Sequence, residues 1–181
     1  GIRGDTMDID FTRNLAQSIP DAHFENLKEL EKGYWWYSGR VEWAKQLIKN
    51  WRIHSFSADL YYIDVGCGTG GFAREIKEAF RPKRSALIDS NSYALEKLRS
   101  DKEFEVINID IERNLELPWS PSLVTCMDVI EHLQDDEAVL KRLADKLTPG
   151  GLLVISVPAH AWLYSAWDRS LGHKRRYSKR E

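Results

Sequence analysis

The segment IDVGCGTGGF, Ile63–Phe72, decides the fold, because it joins an apolar strand to a helix through a loop with almost no side chains. The strand, Leu60–Val65, is a short apolar run of the kind that is buried on both faces of a sheet. Glycines let the backbone turn tightly and approach a ligand at the carboxyl end of that strand. The loop glycines with this predicted role are Gly66, Gly68 and Gly70. The segment therefore predicts a pocket for a nucleotide-like ligand.

Strands and helices alternate along the remainder of the chain. Four further strands are predicted after the first: Ser85–Asp89, Phe104–Ile109, Leu123–Met127 and Leu152–Val157. Amphipathic helices separate them, and an earlier helix carries apolar residues at helical spacing from Val41 to Trp51. A weaker helical pattern covers Ala22–Leu30. This alternation predicts an α/β fold, a doubly wound Rossmann-like parallel sheet preceded by N-terminal helices.

The composition is that of an ordinary folded domain. The chain has 181 residues, 43% of them hydrophobic, and a formal net charge of −2. These values indicate one globular domain without a global attraction to nucleic acid or to an anionic membrane. Its apolar runs are too short to span a bilayer. The two cysteines, Cys67 and Cys126, lie in apolar stretches and are predicted to be reduced thiols, so we expect a cytoplasmic protein.

Three acids lie at the ends of successive predicted strands. Asp64 comes two residues before the first loop glycine, Asp89 ends the second strand, and Asp110 follows the third. A carboxylate beside the loop opposes a bound pyrophosphate but suits a ligand with a positive amino group and sulfonium. Asp89 can accept both hydroxyls of a ribose, and Asp110 lies within reach of an adenine amino group. The glycines at positions 66, 68 and 71 also satisfy the dinucleotide pattern G-x-G-x-x-G, so a nicotinamide-dependent oxidoreductase stays an alternative.

The chain resembles the class I S-adenosylmethionine-dependent methyltransferases. The segments that carry the resemblance are DVGCGTG at Asp64–Gly70, MDVIEHL at Met127–Leu133 and LTPGGLLVISVP at Leu147–Pro158, together with Asp89 and Asp110. The resemblance implies a sheet in the strand order 3-2-1-4-5 and S-adenosylmethionine as the cofactor.

The same resemblance assigns roles to the residues of the cofactor site. The glycine loop would hold the methionine part, and Asp64 would lie near its amino group. Asp89 would bind the ribose, and Asp110 with Ile111 would contact the adenine ring. Further residues that this site would include are Cys67, Ser90 and Asp128.

The aromatic segment GYWWYSGR, Gly33–Arg40, precedes the first strand. Similar methyltransferases carry an aromatic and arginine element there that folds over the cofactor. By this resemblance Arg40 would pair with the methionine carboxylate, and Trp36 or Tyr37 would help to cover the pocket. Trp35 is expected to pack on the sheet.

The segment DVIEHL, Asp128–Leu133, lies just past the fourth strand, where such enzymes place substrate-facing residues. A hydroxyl acceptor must lose a proton to a base or at a metal. Small-RNA 2′-O-methyltransferases and some quinone O-methyltransferases have a similar acid-x-x-Glu-His segment that binds a divalent metal. By that resemblance the candidate catalytic residues and metal ligands are Glu131, His132 and His173. His132 could instead serve as a base or cap the next helix.

The segment HKRRYSKRE, His173–Glu181, contains five basic residues. Such a run is either a solvated face or a contact for a phosphate-bearing acceptor, because arginine binds phosphate oxygens in pairs. Similar segments occur in methyltransferases of surface-polysaccharide and quinone pathways, which would place Tyr164, Asp168 and Tyr177 on the acceptor side. We therefore expect a small-molecule or a lipid- or sugar-linked acceptor, in preference to an RNA end.

The predicted organisation is one methyltransferase domain. A helical cap would cover residues 1–56, a cofactor-binding core residues 57–158, and the start of an acceptor-side region residues 159–181. A complete fold of this kind continues after the fifth strand into an antiparallel hairpin, which we expect this sequence to lack. The predicted function is methyl transfer from S-adenosylmethionine to an acceptor oxygen. Besides the oxidoreductase, a non-catalytic domain that binds S-adenosylmethionine is the other alternative.

Overall fold

The computed structural model describes residues 35–54, 59–100 and 102–178. The five strands are β1 (Tyr61–Val65), β2 (Arg84–Asp89), β3 (Glu105–Asn108), β4 (Leu123–Met127) and β5 (Leu152–Ser156). The α-helices are α1 (Trp35–His54), α2 (Gly71–Phe80), α3 (Ser92–Leu98), α4 (Asp136–Lys146) and α5 (Ala166–Ser170), and short 3-10 helices cover Ile130–His132 and Ala161–Leu163. The predicted weak helix at Ala22–Leu30 lies outside the described residues.

The sheet is parallel throughout and has the strand order β3-β2-β1-β4-β5. This confirms the predicted fold class and order. In the register of the central strands, Val65 at the end of β1 lies beside Ile88 of β2 and Cys126 of β4. The strand order reverses between β1 and β4, and in open α/β sheets a ligand crevice forms outside the carboxyl ends at that point. The glycine loop, which follows β1, therefore lies at the expected crevice.

Both faces of the sheet are covered, which explains why its strands are apolar almost without interruption. One buried cluster joins Tyr62 and Leu87 of the sheet to helices α1, α2 and α3. A second cluster joins Ile63 and Ile88 to helix α4 and to the segment around Ile111. Both cysteines are free and buried, as predicted for reduced thiols. In the described ranges, none of the helices has the length and apolarity that crossing a membrane requires.

The aromatic segment forms the first turns of α1. The prediction that Trp35 packs on the sheet is wrong, because its side chain is 84% exposed. Tyr37 is the aromatic residue that packs there, with 8% of its surface exposed. The reason is helical phase: Tyr37 lies four residues before buried Val41 and shares its face of the helix, whereas Trp35 lies on another face.

The C-terminal segment, defined here as residues 159–178, folds back against the sheet and α4. Ala159 and Tyr177 form a parallel β-bridge, and the backbone N–H of Lys174 donates to the Glu131 carbonyl at 2.7 Å. The guanidinium of Arg175 pairs with Asp136 in the first turn of α4. This return path carries His173 to the end of β4.

Candidate functional site

The glycine loop is shaped by its own backbone. The N–H groups of Gly66 and Cys67 donate to the Ile88 carbonyl at 2.8 and 3.1 Å, which ties the loop to β2. Gly66 and Gly68 have φ values of +70° and +50°, a conformation that side chains disfavour. A β-carbon on Gly66 would lie 2.2 Å from Cγ2 of Val129, whereas one on Gly68 would meet nothing within 4 Å. Space beside Gly68 is therefore open to a ligand, as a cofactor cradle requires.

Asp89 ends β2 and lies beside this loop. Its Oδ2 accepts a hydrogen bond from the Gly68 N–H at 2.9 Å, and its Oδ1 accepts one from the Asn91 N–H at 2.8 Å. Asn91 in turn caps α3 through its side chain. These bonds fix the carboxylate and leave lone pairs on both oxygens. Ser90 is exposed next to it. The arrangement fits the predicted ribose contact.

Asp64 differs from the other strand-end acids because it is buried inside the sheet, with 3% of its surface exposed. The hydroxyl of Thr125 on β4 donates to Asp64 Oδ1 at 2.5 Å, and the Tyr62 hydroxyl lies 2.9 Å from the same Thr125 oxygen. Burial raises the pKa of Asp64 to about 7, against the lowering effects of the Thr125 hydrogen bond and the Arg40 charge. A positive ligand group beside Asp64 would favour its ionised form.

Asp110 follows β3 and is half exposed. Its Oδ1 accepts the Glu112 N–H at 3.1 Å, and its Oδ2 lies 3.3 Å from Nε of Arg113. The neighbouring Ile111 has 7% of its surface exposed and packs in the second core cluster. Asp110 therefore remains accessible for the predicted adenine contact, whereas most of the Ile111 side chain is used in packing.

Arg40 and Asp128 form an ion pair between α1 and the end of β4. The Arg40 guanidinium also lies 4.9 Å from the centre of the Trp36 ring, in cation–π geometry. The Ser156 hydroxyl donates to the second oxygen of Asp128 at 2.7 Å. Asp128 has φ +55°, which is uncommon for a residue with a side chain and often marks a functional site. The structure thus brings together Arg40, which was predicted to bind the methionine carboxylate, and Asp128, which was predicted only as a member of the cofactor site.

The predicted cluster of Glu131, His132 and His173 is assembled in the structure. One potential ligand atom from each residue lies within 4.8 Å of the other two. Glu131 has 1% of its surface exposed, and neither carboxylate oxygen has a hydrogen-bond partner in the described ranges. Burial raises the pKa of Glu131 to about 7. Burial and the nearby His173 lower the pKa of His132, which favours a neutral imidazole.

Two arginines of the basic run, Arg175 and Arg176, are bound within the protein, whereas Lys179 and Arg180 lie outside the described residues. Arg175 is bound by Asp136 and by the carbonyls of Leu133 and Gln134. Arg176 donates through Nε to Asp168 at 2.6 Å. Both guanidinium groups therefore hold the C-terminal segment in place, and Lys174 is the exposed cation between them and His173.

Sequence reasoning missed the partners that orient these site residues. Thr125 escaped notice, although a hydroxyl in the middle of a buried strand is a signal, because buried polar groups need partners. Asp168 was expected near the acceptor, but its contact with His173 was not. That carboxylate lies 3.1 Å from Nδ1 of His173 and has no exposed surface.

The geometry agrees with the comparisons with known proteins. The family model described as "Methyltransferase domain" matches residues 18–180. The chain belongs to this methyltransferase family. A curated relative of this methyltransferase-domain chain is the mitochondrial ubiquinone biosynthesis O-methyltransferase of Schizosaccharomyces pombe, which is 26% identical over 162 residues. That match covers 80% of this chain and 57% of the relative, so the chain spans little more than half the relative's length.

Solved structures confirm the fold of the methyltransferase domain. The sugar N-methyltransferase KedS8 from Streptoalloteichus superposes with a TM-score of 0.65 at 17% identity, over 91% of this chain and 60% of that chain. CalS10 from Micromonospora echinaspora, an amino pentose methyltransferase solved with S-adenosylmethionine bound, gives a TM-score of 0.59 at 20% identity, over 72% and 54% of the two chains. Because the S. pombe relative is named as mitochondrial, the cytoplasmic location of this chain stays a prediction.

Proposed function

We propose that this protein transfers a methyl group from S-adenosylmethionine to an oxygen of a small-molecule acceptor. The observation that carries the proposal is the pairing of Asp89 with the Gly68 N–H beside space that is open to a ligand. The family match and the O-methyltransferase relative support it. Residues 57–158 would form the cofactor-binding core, residues 1–56 a cap, and residues 159–181 the start of the acceptor side. A lipid- or sugar-linked acceptor is the narrower form of the proposal.

The roles of the site residues follow from their chemistry. S-adenosylmethionine carries its methyl group on a positively charged sulfur, which an acceptor oxygen displaces in line. Asp89 would accept the ribose hydroxyls, and Asp110 an adenine amino proton. Arg40 would bind the methionine carboxylate while Asp64 faces the amino group. In the structure Arg40 pairs with Asp128, and its charge lowers the pKa of both Asp64 and Glu131, so a bound carboxylate would share the guanidinium with Asp128.

The acceptor proton requires a second group of residues. Glu131 and His132 lie after β4, at the same edge of the sheet as the glycine loop, and without a bound cation the ionised Glu131 carboxylate or the neutral His132 imidazole would take the acceptor proton. His173 adds a further nitrogen from the C-terminal segment. These three are the proposed catalytic residues.

A divalent cation at Glu131, His132 and His173 is part of the proposal. The supporting observation is the buried Glu131 carboxylate without a hydrogen-bond partner in the described ranges, next to two imidazoles. One carboxylate and two imidazoles suit Zn²⁺ and related first-row ions. Such a cation would stabilise a deprotonated acceptor oxygen, and the acceptor proton would then pass to solvent, because the lone pairs of the three ligands would be engaged. The test is a Zn²⁺ titration of the protein and of Glu131→Gln, with Glu116→Gln, a change of an exposed acid, as the matched control. Equal affinity of all three proteins would remove the metal from the proposal.

The cofactor is tested by calorimetry with S-adenosylhomocysteine and with NADH. We expect S-adenosylhomocysteine to bind and NADH not to bind, which separates the methyltransferase from the oxidoreductase. Asp89→Ala should weaken S-adenosylhomocysteine by about 1.5–3 kcal/mol, roughly 10- to 150-fold, because charge-assisted hydrogen bonds are lost. Asp59→Ala is the matched control, since it removes an acid that pairs with Lys83 before β1 begins. Binding of S-adenosylhomocysteine without methylation of any extracted small molecule would favour the non-catalytic domain.

A further inference from the structure

We infer that Asp168 is a positioning residue for His173: it fixes the ring as the Nδ1–H tautomer, so that Nε2 keeps its lone pair within the cluster of Glu131 and His132. This inference deepens the proposed function, because its consequence depends on the proposed cation site. Asp168 lies on α5, and His173 lies in the segment just after the end of that helix at Ser170. The contact joins Oδ1 of Asp168 to Nδ1 of His173 at 3.1 Å.

The surroundings of Asp168 require its carboxylate to be an acceptor. Oδ1 also accepts from Nε of Arg176 at 2.6 Å, and Oδ2 accepts from the backbone N–H and the hydroxyl of Ser165 at 2.9 and 3.2 Å. The guanidinium of Arg176 forms an ion pair with this carboxylate, and the Ser165 donors occupy its other oxygen, so both oxygens act as acceptors. An ionised carboxylate has no proton to give, and Nδ1 of His173 must therefore carry the hydrogen.

The tautomer of His132, the other imidazole of the cluster, is fixed in the same way by Gly172, the residue before His173. The carbonyl oxygen of Gly172 lies 3.2 Å from Nδ1 of His132. A carbonyl can only accept, so His132 is also the Nδ1–H tautomer when neutral. Gly172 has φ +77°, a left-handed conformation that glycine adopts without strain. The turn at residues 172 and 173 thus orients both rings.

The outcome is a cluster of electron-pair donors. Each neutral imidazole has one lone pair left, on Nε2, and Glu131 adds a buried carboxylate without a hydrogen-bond partner in the described part of the chain. Orientation of ligand imidazoles by a carboxylate or a backbone carbonyl is the usual device by which proteins prepare histidines for a metal. Here one carboxylate and one carbonyl, both from the C-terminal segment, perform it.

Asp168 could instead act only as an anchor of the C-terminal segment. It forms the capping box of α5 with Ser165, and it holds Arg176. Arg175 provides a control, because its pairing with Asp136 anchors the same segment without touching His173. A pure anchor predicts similar losses from Asp168→Ala and Arg175→Met, whereas positioning predicts a loss that is specific to Asp168.

The experiment is long-range ¹H–¹⁵N NMR on protein with labelled histidines, with the rings neutral, combined with Zn²⁺ affinity by competition. We expect His173 and His132 to be Nδ1–H tautomers in the unsubstituted protein. Asp168→Ala should move His173 to the Nε2–H form and lower Zn²⁺ affinity about 10- to 100-fold. Arg175→Met should leave the tautomer unchanged and lower the affinity by less than about 3-fold, which is well below the range expected for Asp168→Ala.

Each result has a definite reading. An Nε2–H tautomer of His173 in the unsubstituted protein overturns the inference, and this measurement does not depend on any variant folding. Equal losses of Zn²⁺ affinity in Asp168→Ala and Arg175→Met also overturn it in favour of an anchor. If the tautomers and their dependence on Asp168 are as expected but Zn²⁺ does not bind, the cation of the proposed function fails while the positioning role of Asp168 stands.

Discussion

Asp89 at the end of β2 and Glu131 just after β4 are carboxylates at the same edge of the sheet, but they differ in burial and in hydrogen bonding. Asp89 accepts backbone hydrogen bonds from Gly68 and Asn91. Glu131 is more deeply buried, and its oxygens have no such partner in the described ranges. A buried polar group without a partner costs stability. Asp89 therefore has hydrogen-bond partners as soon as the chain folds, whereas burial of the Glu131 carboxylate costs stability, which the proposed cation would offset.

The two regions also differ in how the chain builds them. The glycine loop and Asp89 come from consecutive strand ends, and their hydrogen bonds are local to β1 and β2. The Glu131 cluster needs the C-terminal segment to return across the sheet, and Arg175 and Tyr177 hold it there. A site assembled from distant segments is expected to loosen first when the protein is destabilised.

The substitution Gly66→Ala should affect the glycine loop and the Glu131 cluster together. A β-carbon at Gly66 would meet Val129, which leads directly into the turn that carries Glu131. We expect a loss of about 2–5 kcal/mol in the free energy of unfolding, from the left-handed backbone and the overpacking together. Cofactor affinity and Zn²⁺ affinity should both fall.

Chemical denaturation and the two titrations check this, with Gly39→Ala as the control. Gly39 is in α1, and a β-carbon there would meet nothing within 4 Å. Alanine at position 39 should stabilise the helix by up to about 1 kcal/mol. A Gly66→Ala protein as stable as the control would show that Val129 yields to the new methyl group.

Asp64 is the intermediate case between Asp89 and Glu131, since it is buried with one hydroxyl donor. Its pKa in the folded protein is raised from 3.8 to about 7, so the folded state favours the protonated form. Stability is therefore highest below the unfolded pKa and falls as pH rises through about 7, by about 4 kcal/mol in total. Asp64→Asn should remove this part of the pH dependence.

The measurement is the free energy of unfolding from about pH 4 to about pH 8 in both proteins. A cationic ligand group beside Asp64 adds a second expectation: cofactor affinity should rise as pH increases through about 7, and should not do so in Asp64→Asn. Parallel stability curves for the two proteins would show that Asp64 is ionised over this whole pH range.

Substitution of Glu131 and substitution of Asp89 should change the free energy of unfolding in opposite directions. Without added metal, Glu131→Met removes a buried carboxylate in favour of an apolar side chain of similar length, and we expect a gain of about 2 kcal/mol in the free energy of unfolding. Asp89→Ala loses two hydrogen bonds and should cost a similar amount. Thermal unfolding of both variants checks this, and a loss of stability in Glu131→Met would mean that the carboxylate has a partner in the folded protein.

The smallest change concerns the attachment of the C-terminal segment. Tyr177 donates its hydroxyl proton to Asp136 at 2.6 Å. Burial raises the pKa of Asp136, but the Tyr177 hydrogen bond and the Arg175 charge outweigh it and leave the pKa below its ordinary value. Tyr177→Phe should cost about 1 kcal/mol of folding free energy and leave the affinity for S-adenosylhomocysteine unchanged. Weaker binding of S-adenosylhomocysteine by this variant would mean that the C-terminal segment and the cofactor site are coupled.

The fold was predictable because its signals are periodic and local. Apolar strands ending in glycine or acid, with amphipathic helices between them, have few other solutions than a parallel doubly wound sheet. The joining of Glu131 and His132 with His173 was predicted from resemblance, since nothing local relates residues so far apart in sequence. Their placement by Asp168 and Gly172 depends on how the C-terminal segment returns.

The wrong or missed predictions have physical causes. Trp35 was expected to be buried because it is large and apolar, but the phase of α1 buries Tyr37 instead. Arg175 and Arg176 were predicted to lie on a solvated face or to contact a phosphate-bearing acceptor, because the sequence does not show that Asp136 and Asp168 lie opposite them. Composition indicates which groups are available, whereas the partners of a charged group are set by tertiary structure.

The close approach of Val129 to position 66 restricts which residues can occupy these two positions in related sequences. A side chain at position 66 would overlap with the valine at position 129 unless that valine shifts. Among relatives that keep this backbone, a larger residue at the first site therefore demands a smaller one at the second. Substitutions at these two positions are therefore expected to occur together.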